Sequence, residues 1–510
     1  MKGRKTEMRV RVSEDRIPVI VGIGEVKDRP DDPMDGLEPL ALMAAALDRA
    51  HQDAGGGVLA AVDSLDVVNL TSWRYADPAR QLACRLGITP ARAVYGAIGG
   101  ESPVRFLHEA ALRIARGESA AVAIVGAEAQ HTVNQAQKAK LTLPWTEFAR
   151  DAPVPLRGAD FLHPLAVKLG VAQPISVYPF YDAASAAHWG QTPREALMES
   201  GDLWSVYSRV AETNPFAWLP KPYASDDIVT PTADNRLIAW PYTKRMVANP
   251  TVNQGAAILV TSLARARAAR IPDGALVHIW GGAAANEPRD YLDRDQFHES
   301  HAQDAVLDAA TAIASGDAFD ALELYSCFPC VPKMARRALG LGPDVQPTVT
   351  GGLSFFGAPL NNYMTHAACA MVRRLRIANG VGLLYGQGEF VTKHHALVLS
   401  SSPSRKPITG WPSSVQDMAD SRRGPVPPFR ANVAGPCRLE TFTILYGRDG
   451  SVSHAVVILR GPGGTRGMAR VPAGDERTLA RLTDLDVSPV GIDGVAVPAV
   501  DGIPNWRALP

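Results

Sequence analysis

The sequence predicts a layered α/β core followed by a small β-rich domain. Three observations carry that expectation: strands and helices alternate from Pro18 to Gly126, the same order returns between Ala275 and Tyr385, and the composition shifts after Ser401. Alternation of this kind indicates layers of helix and sheet around a common core. At 510 residues the chain exceeds one simple core, so two or three domains are expected.

Residues 18–24 form an apolar run closed by glycines and read as a buried strand. Residues 37–51 are Ala- and Leu-rich with helical periodicity, 62–70 read as a strand, and 78–86 as a short helix. A small-residue turn at 97–103 leads into a helix over 103–116, with Pro103 suited to its first turn. Residues 120–126, AAVAIVG, close this unit as an apolar strand. The second unit reads as strand 275–281, helix 301–314, strand 318–325, short helix 331–339, the Gly351-Gly352 turn, helix 361–377 and strand 380–385. In each unit a glycine turn precedes a long helix that precedes a buried strand, so two similar βαβα halves are expected.

Residues 127–250 are less regular and hold five of the nine tryptophans. Thr192-Pro-Arg-Glu195 is a capping box that starts a helix there. Such an insertion serves either as a substrate-facing lid or as its own aromatic core, and the second is commoner because aromatics serve burial first. Residues 401–428 are rich in Ser, Pro, Arg and Gly and read as a linker. Beyond them, 437–445, 452–459 and 465–471 read as short strands joined by turns such as Arg448-Asp449-Gly450. A β-barrel of about 80 residues with the scale of an OB fold is expected.

Lys+Arg and Asp+Glu number 52 each, so the net charge is zero and no long-range field gathers nucleic acid. The charged start, residues 1–16, lacks the apolar stretch of a secretory signal. No run approaches the ~18–20 apolar residues of a transmembrane segment. Five cysteines are too few for a disulfide framework, and their odd number fits reduced thiols and a cytoplasmic location.

The stretch 322–333, LELYSCFPCVPK, places Cys327 and Cys330 where a strand ends and a helix begins. Ligands bind at such strand ends, and a helix N-terminus favours thiolate. The C-x-x-C spacing matches a dithiol site, although packing in the core is the commoner fate of such thiols. No second C-x-x-C exists, which removes a paired four-cysteine zinc site. Residues 351–363, GGLSFFGAPLNNY, form a glycine loop entering a helix, whose free N–H groups suit an oxyanion or phosphate. His366 follows about one turn into that helix, as a general base or as a satisfied core histidine. His394 and His395 are adjacent on a strand and face opposite ways, so they share a metal poorly, and no metal is expected. No Ser-His-Asp signature, P-loop or strand-linked G-x-G-x-x-G is present.

Over residues 16–400 these motifs together resemble the thiolase superfamily, most closely its thiolase-like branch near the sterol-carrier-type thiolases. Some members of that branch carry an added C-terminal domain. Gly99-Gly-Glu-Ser-Pro103, with Arg116-Gly117-Glu118 and Val125-Gly-Ala-Glu128, resembles the nucleophile helix and its following strand. Residues 322–328 sit at the N-E-A-F or H-D-C-F motif, 351–359 on the G-G-x-x-x-x-G-H-P loop, and Tyr385-Gly-Gln-Gly388 at the C-x-G motif. Residues 235–244, NRLIAWPYTK, and Thr392-Lys-His394 are also similar to the branch.

The resemblance implies the thiolase fold: two βαβα halves in αβαβα layers, with an OB-like barrel added. The expected division is 16–265 for the first half (127–250 inserted), 266–402 for the second, 403–428 as linker and 429–510 as the added domain. It implies acyl-CoA as partner, acyltransferase-type chemistry on coenzyme A thioesters, no covalently bound cofactor, and a monomer or homodimer. The nucleophilic cysteine position falls on Gly100 and the activating histidine on Ala358. Tyr385 stands at the second cysteine and Tyr325 at the N-E-A-F asparagine. An acyl-enzyme needs a nucleophile beside a base, and both ordinary ones are missing. A rearranged site is therefore expected from Tyr325, Cys327, Tyr363, His366 and Tyr385, with Gly100, Ser102, Gly357, Asn361 and Gly388 against the substrate. The alternatives are a non-catalytic acyl-CoA or lipid binder, a carbon–carbon lyase that never acylates itself, and a partner-dependent scaffold.

Overall fold

The computed structural model describes residues 13–316 and 318–510, so most of the charged start lies outside the described residues. Nine strands form the central sheet: β1 (Pro18–Lys27), β2 (Ser64–Val67), β3 (Arg92–Tyr95), β4 (Ala121–Ala129), β5 (Asn253–Ser262), β6 (Val277–Asn286), β7 (Ala321–Leu324), β8 (Val381–Gly388) and β9 (Lys393–Ser400). Their spatial order is β3-β2-β4-β5-β1-β6-β9-β8-β7. At the seam β1 meets β6 antiparallel, Val19 opposite His278 and Ile20 opposite Val277. Outward from that seam the halves run β1-β5-β4-β2-β3 and β6-β9-β8-β7. The repeat is therefore topological, and among the described residues the second half lacks only a counterpart of β3. β5 is absent from the sequence expectation, although its buried run lies between β1 and β4.

Six helices position the site: α1 (Pro39–Asp53), α2 (Ser102–Arg116), α3 (Pro174–His188), α4 (Pro193–Thr213), α5 (His301–Ile313) and α6 (Tyr363–Ile377). α1 covers β1, β4 and β5, whereas α5 covers β6 and β9. α2 and α6 lie between the halves and touch strands of both, which gives five layers, α–β–α–β–α. α2 starts with Pro103 in its first turn and ends at Gly117 in the left-handed region (φ 71°). α4 starts at the expected Thr192–Glu195 capping box. One core lies under α1 (Leu42, Leu47, Val125, Leu259), and a larger one surrounds α2 and α6. Each fully buried Leu or Ile there contributes roughly 2 kcal/mol.

The C-terminal region closes a five-stranded barrel from β10 (Gly435–Tyr446), β11 (Val452–Arg460), β12 (Arg466–Pro472), β13 (Asp493–Val497) and β14 (Asn505–Ala508). The ring runs β10-β11-β12-β14-β13 and back to β10, antiparallel except for β12 with β14. Glu476–Leu482 is helical between the third and fourth strands. This is the OB-like arrangement, and full closure removes exposed strand edges. Val457, Leu459, Val471 and Trp506 fill its interior. Val456, Ile458 and Met468 instead join the core of the α/β body.

Arg466 is fully buried at that junction, donating to Glu440 (2.9 and 2.6 Å) and to the carbonyls of Leu292 (2.8 Å), Asp295 (3.2 Å) and Arg294. The Ser/Pro-rich stretch before the barrel holds a helix, Gln416–Arg422. It lies against β6: Val415 N–H donates to the Ala284 carbonyl (3.0 Å), and Arg423 pairs with buried Glu287 (2.9 Å). Among the described residues no helix is long and apolar enough to cross a membrane.

Candidate active site

A cavity of about 620 Å³ opens at the carboxyl ends of β7 and β8, facing the turns that enter α2 and α6. Its size suits a small-molecule ligand, and its position is where ligands bind in α/β proteins. Gly99, Gly100, Gly388, Tyr325, Cys327, Ala358 and Asn361 are among its lining residues. The insertion supplies mostly apolar walls such as Ala172, Ile175, Ile238 and Val247. None of the insertion's tryptophans lines the cavity. Trp204 and Trp218 are buried, and Trp204 donates from Nε1 to Ser354 Oγ (2.9 Å), so they supply packing.

Tyr325 faces Gly100. A side chain on Gly100 would overlap the Tyr325 oxygen and the Gln387 carbonyl. Burial, then the nearby Cys327 and Glu101, holds the phenol well above its ordinary pKa, so it stays a proton donor. Burial also pushes the Cys327 thiol up to about 12, so it is not a thiolate at neutral pH. Its Sγ–H points toward Gln387 Oε1 at 3.7 Å, and the Tyr178 hydroxyl reaches the same oxygen at 2.9 Å. Asn361 accepts from Gly99 N–H (3.0 Å) and donates to the Asn69 carbonyl (3.0 Å), which fixes the glycine turn.

Gly388 leads into a turn in which Glu389 and Val391 have φ of 58° and 55°. Positive φ is costly for a β-branched residue and persists only where the surroundings enforce it. Here Lys393 (2.9 Å) and Arg289 pair with Glu389, and Arg294 donates to the Val391 carbonyl. The turn places Glu389 and Phe390 on the cavity wall.

The structure thus gathers Gly100, Tyr325, Cys327, Asn361 and Gly388 around one cavity, and leaves His366, Tyr363, Tyr385, Ser102 and Gly357 outside its lining. His366 is fully buried with Nδ1 2.6 Å from Glu25, which also pairs with Arg373; it ties α6 to β1. The Tyr363 hydroxyl donates to Glu323 (2.7 Å) and accepts from Gly352 N–H (3.1 Å). Glu323, raised by burial to about 7, also accepts from Thr348 and from Thr350 N–H, so this network shapes the glycine loop. The Tyr385 hydroxyl lies 2.8 Å from Gln303 Nε2 and 2.8 Å from His394 Nδ1. Ser102 donates to the Ala97 carbonyl (3.2 Å), closing the turn before α2. Gly357, at φ 115°, packs where a side chain would press on Gln254 and Val252.

Cys330 is buried with its Sγ–H toward the Tyr178 carbonyl (3.8 Å), and none of the cysteines is disulfide-bonded. Among the described residues no group of three His, Cys, Asp or Glu can hold a metal ion. One buried residue behind the cavity wall escapes a reading by motif: Glu101, against which a side chain on Gly99 or Gly388 would press. Its signal is a carboxylate inside the small-residue turn GGESP, where the resemblance drew attention to the missing cysteine instead.

Two mirrored halves around paired central helices, with a cavity over the Gly99–Gly100 turn, define a thiolase fold. The model of the thiolase-like protein type 1 additional C-terminal domain matches residues 415–498, so the barrel region is similar to that added domain. The crystal structure of a monomeric SCP2-thiolase-like protein type 1 from Mycobacterium smegmatis is similar, with a TM-score of 0.80 and 27% identity over 97% of this chain and 100% of that one. An Ltp2–ChsH2(DUF35) aldolase shares the fold at TM-score 0.57 and 19% identity, covering 77% of this chain and 99% of that one. Human mitochondrial 3-ketoacyl-CoA thiolase, solved in complex with CoA, shares it at TM-score 0.51 and 15% identity, covering 76% and 98%. No curated protein sequence matches the chain.

Proposed function

We propose that this chain processes acyl-CoA thioesters, and that it breaks or forms a carbon–carbon bond beside the thioester by proton transfer rather than through an acyl-cysteine. The observation that carries the reading is the Tyr325 phenol filling the space a side chain on Gly100 would need. Acyl transfer by the thiolase route needs a thiolate and a base in reach. Gly100 and Ala358 supply neither, and Cys327 keeps its proton. A phenol that keeps its proton can still hydrogen-bond the thioester oxygen as negative charge develops there. In the lyase direction a β-hydroxyl loses its proton, the Cα–Cβ bond breaks, a carbonyl fragment leaves, and the thioester enolate takes up a proton at its α-carbon. The aldolase of the same fold, and the thiolase that binds CoA, support this class of substrate by analogy of fold. The proposal takes the chain as a monomer, the state named for the mycobacterial protein, acting in the cytoplasm without a covalent cofactor.

The loss of both ordinary catalytic groups also favours a second reading, a binder that holds acyl-CoA without turnover. Calorimetry with CoA and acyl-CoAs, beside an assay for carbonyl release from 3-hydroxyacyl-CoAs, separates the two. Binding with carbonyl release supports the lyase. Binding alone supports the binder, and acetyl-CoA released from a 3-ketoacyl-CoA with acylated protein would restore acyl transfer. No binding of any CoA ester removes the ligand assignment.

A further inference from the structure

The residues that line the cavity differ in how far they are exposed, and that difference gives it a direction. Thr71, Arg157 and Gln173 are exposed and mark the mouth. Among the described residues Arg157 is the one cationic side chain on the lining. Inward the walls are apolar: Val247, Phe328, Leu353 and Phe390 are buried, with Ile175 and Ile238 half-buried beside them. Polar side chains also reach the interior, but they are already bonded to the protein. Asn361 is held at both ends, by the Gly99 N–H (3.0 Å) and the Asn69 carbonyl (3.0 Å). Gln387 donates to the Gly388 carbonyl (2.7 Å), and its Oε1 lies 2.9 Å from the Tyr178 hydroxyl, which is itself 2.7 Å from the Glu389 carbonyl. The Glu389 carboxylate, 2% exposed, pairs with Lys393 and Arg289. Groups satisfied in this way offer a ligand little, and a polar ligand group buried beside them goes unpartnered. The phosphates and amides of a coenzyme A ester therefore belong toward the mouth and Arg157. Much of a cavity of about 620 Å³ is then left to the acyl group, and an acetyl group would leave most of those apolar walls without contacts.

We infer that this cavity selects coenzyme A esters of medium-chain and larger hydrocarbon acyl groups, against acetyl and against acyl groups that end in a charge, and that Val247, Phe328, Leu353 and Phe390 make the selection. The inference rests on the acyl-CoA reading above and names the acyl class for it. Specificity of this kind comes from area removed from water, so affinity rises with each methylene until the interior is filled.

The test is calorimetry of the full chain with acetyl-, butyryl-, hexanoyl-, octanoyl- and succinyl-CoA. Affinity should tighten about 3–4-fold for each methylene from butyryl- to octanoyl-CoA, about 100-fold in all, with an increasingly negative heat-capacity change. Succinyl-CoA, which carries a carboxylate where butyryl-CoA has its terminal methyl, should bind at least about 10-fold more weakly than butyryl-CoA. Val247→Phe fills part of the interior and should cut the octanoyl-to-butyryl affinity ratio by about 10-fold or more. Should Val247→Phe not fold, Ala248→Leu, at a half-buried lining position, should lower the same ratio. Tightening of less than about 10-fold from butyryl- to octanoyl-CoA, or succinyl-CoA binding as well as butyryl-CoA, overturns the inference and leaves the acyl-CoA reading standing. A folded variant that keeps the wild-type ratio overturns the assignment of these walls. Failure of wild type to bind any of the five esters removes the reading on which the inference rests.

Discussion

Adding one methyl group at Gly100 tests whether the site has been rebuilt around a phenol. The new Cβ would fall on the Tyr325 hydroxyl and on the Gln387 carbonyl. The tyrosine has somewhere to go, because it borders the cavity, whereas the carbonyl is fixed in β8, where Gln387 pairs with His394 of β9. Overpacking of this kind costs about 1–3 kcal/mol, and the immovable carbonyl keeps Gly100→Ala inside that range. Tyr325→Ala relieves one of the two collisions. In that background the same methyl should cost about 1 kcal/mol less, the coupling expected of touching residues. Urea unfolding of wild type, both single variants and the double variant, followed by tryptophan fluorescence and circular dichroism together, closes the cycle. A Gly100→Ala protein within about 0.5 kcal/mol of wild type, or strictly additive variants, would refute the contact. The same geometry says that Gly100→Cys does not restore an acyl-enzyme, and intact mass spectrometry after incubation with acetyl-CoA should show no added acetyl group.

Lys333 is fully buried and pairs with Asp182 (2.5 Å) and Ser200 (3.0 Å), so Lys333→Met should lower stability by about 3–5 kcal/mol by stranding the carboxylate. Adding Asp182→Asn should recover part of that loss, and full retention of stability in the single variant would contradict a paired charge. His108, His278 and His394 are each held down to about 4, chiefly by burial. Between roughly pH 6.5 and pH 4 the unfolded chain takes up protons there and the folded chain does not, so stability falls as pH falls, by roughly 3 kcal/mol per histidine. Unfolding midpoints in urea across that range should show the slope, and His108→Gln should flatten it. At neutral pH iodoacetamide should label exposed Cys84 in the native protein and reach buried Cys327, Cys330 and Cys369 only after denaturation. Native labelling of Cys327 would contradict the raised thiol.

The repeat was legible because it is written locally: a glycine turn, a long helix and a buried strand recur, and the mirrored strand order follows. The barrel was legible through its three longer strands. Asp493–Val497 and Asn505–Ala508, at five and four residues, are too short to show a period, so closure was not. Among the site residues, those adjacent to strand ends or glycine turns, such as Tyr325 and Gly100, were placed by motif. His366 misleads because its partner, Glu25, lies 341 residues away, and no local pattern distinguishes a paired core imidazole from a free base. Tyr385 misleads in the same way, its hydroxyl being taken by Gln303 of α5. The Ser/Pro-rich stretch has the composition of a free linker, and its order comes from contacts with β6 that composition does not encode.

α3 stands between the barrel and the cavity: Pro174, Ile175 and Tyr178 face the cavity, while the Phe180 carbonyl accepts from Thr441 of β10 (2.6 Å). Pro179 interrupts the helix's own bonding between those two faces. The strands that OB barrels ordinarily offer to ligands, β11 and β12, are spent on the body through Val456, Ile458, Met468 and Arg466. The appended domain thus braces the cavity wall through α3, so the shape of the pocket depends partly on a region that does not line it. Attempts to reshape the pocket along α3 will have to redesign the barrel seam with it, and natural drift in either is expected to be matched in the other.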